Sequence, residues 1–314
     1  LGEEERKRIA RRRKNITKRC GKRFLKRRRK KIINPYKIEG PALISFSGGR
    51  TSGYMLKHII DAHEGTLPKD VYVVFANTGK EMPQTLDFVR DCEEKWDCKI
   101  HWIELYDVDK DAKGDNTEGW MFKYKLVDYE TASRNGEPFE KLIAHYGKLP
   151  NSTNRFCTFL LKQRAIIWFE RHQGFKNMDQ VIGLRADEPR RVHRIKDRNG
   201  KADYFTPLYD AKVIQQDIQE FWKKNNFDLS LLATDKHTLF GNCDMCFLKG
   251  KGQLIQMLSH REDLADWWVK QEEKTNKTFK YDISYKQMIE IKNENDKQFD
   301  LFADDESVDC FCHD

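Results

Sequence analysis

The feature that most constrains this chain is an alternation of short apolar runs with segments of helical periodicity, the first changes marked by glycine. Residues 42–46 form an apolar run that ends at Gly48-Gly49, and residues 55–60 then repeat apolar side chains at helical spacing. Residues 71–76 (VYVVFA) read as a buried strand, followed by Asn77-Thr78-Gly79 and an amphipathic helix through Thr85, Leu86, Phe88 and Val89. Residues 99–105 read as a third strand and 180–183 as a fourth. A βαβαβ succession predicts an α/β fold, a Rossmann-like parallel sheet with helices on both faces. Ligands in such sheets bind at the carboxyl ends of the strands. Residues 106–154 are polar and read as an insertion or lid, and 155–172, 213–224 and 253–270 read as helices. The chain divides into a tail (1–34), a body (35–250) and a helical C-terminal extension with a cysteine-containing end (251–314).

Charge separates the tail from the body. The 314 residues carry 58 Lys and Arg against 50 Asp and Glu, a formal charge of +8. Residues 1–31 hold seventeen basic and three acidic side chains, leaving 41 basic against 47 acidic in the rest. The tail therefore reads first as a flexible, disordered arm on a mildly acidic body, and second as an arm that binds nucleic acid through phosphate neutralisation. No apolar run approaches the roughly 18 residues of a membrane span, so no membrane partner is expected. Without a secretory apolar core the expected location is the reducing cytoplasm. The eight cysteines are accordingly read as metal ligands, nucleophiles or core residues before disulfides.

The sharpest local signal is Ser45-Phe46-Ser47-Gly48-Gly49-Arg50-Thr51-Ser52, set between a strand and a helix. Glycines let the backbone turn and aim several N–H groups at one point, and the helix N-terminus adds partial positive charge; together they make an anion site. The lysine of a Walker A loop is absent. Arg185, Arg190 and Arg191 lie in a charged loop after the fourth strand, where guanidinium forks match tetrahedral oxyanions. The competing reading is a surface loop in which they pair with Asp187 and Glu188. Lys162 adds charge on the 155–172 helix.

The Ser-Gly-Gly loop resembles the pyrophosphate loop of the PP-loop adenine nucleotide α-hydrolase superfamily. The stretch Ala76-Asn77-Thr78-Gly79-Lys80-Glu81-Met82-Pro83-Gln84-Thr85, the Gly183-Leu184-Arg185 loop, and the segment Gly241-Asn242-Cys243-Asp244-Met245-Cys246 extend the likeness to its phosphoadenosine phosphosulfate (PAPS) reductase family, phage and bacterial type. The resemblance covers about residues 42–250. It implies an adenine nucleotide, ATP or PAPS, held by Ser45, Ser47, Gly48, Gly49, Arg50, Thr51, Ser52, Asn77, Thr78, Gly79, Lys162, Arg185, Arg190 and Arg191. It also implies sulfur chemistry, either sulfonucleotide reduction with a thiol or electron donor protein, or ATP-dependent sulfur transfer. The intact Ser-Gly-Gly loop resembles the ATP-cleaving members more than the reductases; against this, Thr51 stands where ATP-cleaving members usually carry Asp, which weakens an assignment of magnesium to the loop.

The cysteines carry two further expectations. In related sulfonucleotide reductases a Cys-Cys pair followed by CxxC holds a 4Fe-4S cluster; here Phe156 replaces the first cysteine, leaving Cys157, Cys243 and Cys246 as candidate ligands. A cluster, a zinc ion and no metal all remain open on this pattern. Asp309-Cys310-Phe311-Cys312-His313 is similar to the family's terminal nucleophile segment, which implies Cys310 or Cys312 as the attacking thiolate. A reading from another class is a nucleic-acid-associated binding protein with a vestigial nucleotide fold and the basic tail.

Overall fold

A computed structural model describes residues 34–112, 120–196, 203–232 and 239–294. The basic tail up to residue 33, and Cys310 and Cys312, lie outside the described residues. Six strands form one sheet: β1 (Ala42–Ser45), β2 (Val71–Ala76), β3 (Ile100–Val108), β4 (Phe122–Val127), β5 (Asp179–Val181) and β6 (Tyr204–Phe205), in the order β4-β3-β2-β1-β5-β6. All pairs are parallel except β3 with β4. Every side chain of β1 is buried, as expected for a central parallel strand covered on both faces.

Ten α-helices are found among the described residues: α1 (Arg50–Ala62), α2 (Pro83–Lys95), α3 (Glu137–Tyr146), α4 (Arg164–His172), α5 (Pro189–Lys196), α6 (Pro207–Asp210), α7 (Gln215–Lys224), α8 (Lys251–His260), α9 (Asp266–Thr275) and α10 (Tyr285–Glu294). The expected α/β fold is therefore present, with helices flanking the sheet. One continuous buried cluster joins Ile44, Phe75 and Trp102 of the sheet to Leu254, Trp268 and Tyr285 of α8–α10.

The polar stretch 106–154 is more ordered than its composition implied. It contains β4, whose Phe122-Lys123-Tyr124-Lys125-Leu126 alternates apolar and basic residues, a pattern suited to a protected edge strand. It also contains α3, which starts with Pro138 at its N-terminus and buries Phe139, Leu142 and Ile143. The helix expected over 253–270 is interrupted by a 3₁₀ turn at Glu262–Ala265.

Cys92 and Cys98, which the sequence leaves as either core or surface residues, are buried in the core. Burial raises both thiols, Cys98 to about 12. Because the thiolate is the reactive form, neither is expected to react with a maleimide at pH 7 until the protein unfolds. Mass mapping after native labelling checks this; rapid modification of either would contradict it.

Candidate functional site

The chain runs β1 to β2 to β3 on one side of β1 and returns to β5 on the other. The loops after β1 and β5 therefore flank the sheet's topological switch point, where open α/β sheets take ligands. Gly183 brings the two together: a Cβ there would sit 3.5 Å from Ser52 Cα.

The loop after β1 is shaped by its two serines. Ser52 Oγ donates to the Gly49 carbonyl at 2.9 Å, and Ser47 Oγ lies 2.9 Å from Ser52 Oγ. The Gly49 N–H donates to Ser47 Oγ, and the Ser47 N–H to Ser52 Oγ. Gly48 takes φ +76°, and an added Cβ would lie 2.7 Å from Thr85 Cγ2. Glycine is thus needed for both conformation and space. The Gly53 N–H makes an α-helical bond to the Gly49 carbonyl, so the amides of Arg50, Thr51 and Ser52 precede that bond at the positive end of the helix dipole.

Arg185 reaches this loop from the other side. Its Nη1 donates to Thr51 Oγ1 at 3.3 Å, while Nε donates to Asp187 Oδ1 at 2.9 Å and Nη1 lies 3.6 Å from Glu188. Arg185 and Thr51 thus meet across 134 residues of chain. Arg191 pairs with Glu188, and Arg190 stands exposed on α5. The paired-loop reading therefore describes Arg191, and Arg185 has both kinds of partner.

Asn77, Thr78 and Gly79 follow β2, but the first two point their side chains inward. Asn77 is fully buried; its amide donates to Glu104 and to the Ser133 carbonyl. Thr78 Oγ1 lies 2.9 Å from both Glu81 carboxylate oxygens, and the Thr78 N–H donates to Glu81 Oε2. Gly79 has φ +76° and lies against Pro138. Ser45 is a buried strand residue paired with Val74. Arg50 turns away from the serines and forms a two-pronged ion pair with Asp228, both bonds 2.7 Å.

Residues 41–241 match the phosphoadenosine phosphosulfate reductase domain. The chain belongs to the phosphoadenosine phosphosulfate reductase family. It is 33% identical over 208 residues to an uncharacterized nin region protein of Escherichia phage lambda, covering 66% of each chain. It is 28% identical over 170 residues to an uncharacterized protein of Methanocaldococcus jannaschii, covering 52% of this chain and 28% of that protein. The chain thus spans about two thirds or less of these relatives' lengths. Among solved structures it is similar to a phosphoadenylyl-sulfate reductase from Candida auris in a phosphate complex, with 14% identity, coverage of 62% of this chain and 81% of the other, and a TM-score of 0.37. It is also similar to the U34-tRNA thiolase NcsA of Methanococcus maripaludis with its [4Fe-4S] cluster, with 13% identity, coverage of 91% and 82%, and a TM-score of 0.34.

In this reductase-family chain the candidate metal ligands sit on two segments that both reach Glu81. Cys243 forms a β-bridge with Glu81, and its Sγ lies 3.4 Å from Thr78 Oγ1. Cys157 precedes a π-helical turn, Thr158–Gln163, that runs into α4. Lys162 lies on this π-turn, whose bonds run i to i+5, and its Nζ lies 4.0 Å from Glu81. Among the described residues, however, no three His, Cys, Asp or Glu side chains are gathered closely enough to hold a metal ion.

Sequence reasoning passed over the buried pair beneath them. Lys80 Nζ and Asp244 Oδ2 meet at 2.9 Å, both almost fully buried. Trp268 Nε1 donates to Asp244 at 2.8 Å, and the Trp267 ring centroid lies 4.9 Å from the ammonium. Burial raises the Asp244 carboxyl, opposed by Lys80 and the indole. The sequence signal was present, since Lys80 and Asp244 lie inside the 76–85 and 241–246 motifs, but nothing local pairs them.

Proposed function

We propose that this protein is a PAPS-reductase-like enzyme of sulfur metabolism, binding the phosphates of an adenine nucleotide on the 47–52 loop with Arg185 across from it. The observation that carries this reading is the Arg185 guanidinium on Thr51 at the switch point. Thr51 occupies the position where ATP-cleaving relatives usually carry Asp. A guanidinium beside that hydroxyl supplies charge for a tetrahedral oxyanion directly. That favours a sulfonucleotide over an ATP–magnesium complex.

In the proposed reaction a thiolate, Cys310 or Cys312, attacks the sulfate sulfur. The sulfur–oxygen bond to the phosphate breaks, adenosine bisphosphate leaves, and a protein S-sulfonate forms. Two electrons from a thiol donor protein then release sulfite and leave a disulfide. Arg185 and the loop amides hold the leaving phosphate, and the described residues themselves perform no redox step. Cys157, Cys243 and Cys246 are the candidate metal ligands, either with one position left open or with a fourth donor from elsewhere, and no step is routed through a cluster.

Calorimetric titration tests the nucleotide. PAPS is expected to bind without magnesium and more tightly than ATP, and Arg185→Ala to weaken it about tenfold or more, the cost of one charge-assisted bond. ATP binding only with magnesium, and no PAPS binding, would move the protein to the sulfur-transfer branch. Binding of neither would end the nucleotide reading.

A further inference from the structure

Arg50 lies inside the candidate phosphate loop, yet its guanidinium is committed elsewhere. Nε and Nη2 donate to the two Asp228 oxygens at 2.7 Å each, and Nη2 also donates to the Leu229 carbonyl at 3.2 Å. The same residue is held through its backbone, because Trp222 Nε1 donates to the Arg50 carbonyl at 2.9 Å. One turn on, a Cβ at Gly53 would lie 2.8 Å from Trp222 Cζ2, so helix and indole are in close contact. Three separate contacts therefore bind the first turn of α1 to α7 and the segment after it, 172 to 179 residues away.

We infer that Asp228 is a positioning residue for the phosphate loop, acting through Arg50. The fork orients Arg50 at the start of α1, which aims the amides of residues 50–52, and Arg50 itself is not a phosphate ligand. A bidentate guanidinium–carboxylate pair fixes direction as well as distance, whereas a lysine at position 50 keeps the charge without the fork. The inference rests on the nucleotide reading of the loop.

Two opposite outcomes separate this role from simple electrostatics. Removing a carboxylate near an anion site strengthens anion binding if charge alone matters; it weakens binding if the carboxylate orients the loop. The test is pyrophosphate and PAPS titration of the full chain carrying Asp228→Asn, Arg50→Lys, Arg50→Ala, Asp228→Ala, and the last two together, with melting curves for each. Each single variant is expected to weaken both ligands roughly tenfold, the double variant no further than the worse single, and loss of the partly exposed pair to leave melting nearly unchanged. Tighter or unchanged binding by Asp228→Asn, or wild-type affinity in Arg50→Lys, would overturn the inference while the nucleotide reading stands. Wild-type protein that binds neither ligand would overturn the reading and this inference together.

Discussion

Replacing Asp244 by alanine is expected to cost about 3–5 kcal/mol of stability, the penalty for removing one partner of a buried ion pair. The carboxylate is 7% exposed and its lysine 8%. Alanine leaves the Lys80 ammonium against the Trp267 ring without its counter-charge, and it also leaves the Trp268 indole N–H without its acceptor. The Asp244 N–H donates to the Lys80 carbonyl, so the backbone link between the two loops survives and the loss isolates the side chain. The double variant Lys80→Met/Asp244→Leu is expected to recover most of the loss, since an apolar pair carries no desolvation penalty. Asp91→Ala, which breaks the more exposed pair with Lys95 at 2.9 Å, is expected to cost under about 1 kcal/mol. Urea denaturation midpoints measure all three. A loss below about 1 kcal/mol for Asp244→Ala would show that the pair contributes no more than a surface one.

Gly48→Val is expected to abolish nucleotide binding, with a loss of at least about a hundredfold from several charge-assisted bonds of ~1.5–3 kcal/mol each. At φ +76° any Cβ is strained, and here it also meets Thr85 Cγ2 at 2.7 Å and Val89 Cγ2 at 3.0 Å. Both neighbours belong to α2, which packs on the sheet and yields little, so the loop moves instead. Gly65 provides the control: its φ is +90°, but nothing lies within 4 Å of its added Cβ. Gly65→Ala is therefore expected to cost stability of about 1 kcal/mol or more from backbone strain and to leave affinity unchanged. Titration of both variants with PAPS, beside their melting curves, separates strain from clash. Retained affinity in Gly48→Val would remove the loop from the binding site.

Much of the fold was legible because its signals are local. The runs at 42–46 and 71–76 are apolar throughout, as central parallel strands must be, and the glycines of the 47–52 loop announce a turn that no other residue makes cheaply. The edge strand β4 was missed although Phe122, Tyr124 and Leu126 alternate with lysines, because polar surroundings diluted a six-residue pattern. The π-turn that carries Lys162 was not legible, because one extra residue per hydrogen-bonded ring has no compositional signature.

Sequence by itself determined the mostly parallel sheet, the glycine turn of the 47–52 loop and family membership, since each rests on residue types at short, fixed spacing. Only the tertiary structure decided where the polar side chains point. Asn77 and Thr78 turn inward to Glu104 and Glu81, Arg185 meets Thr51, and Arg50 leaves the loop for Asp228, 178 residues away. A buried or clamped polar group goes to whichever partner satisfies its hydrogen bonds, and that choice is made by segments the fold brings together from distant parts of the chain.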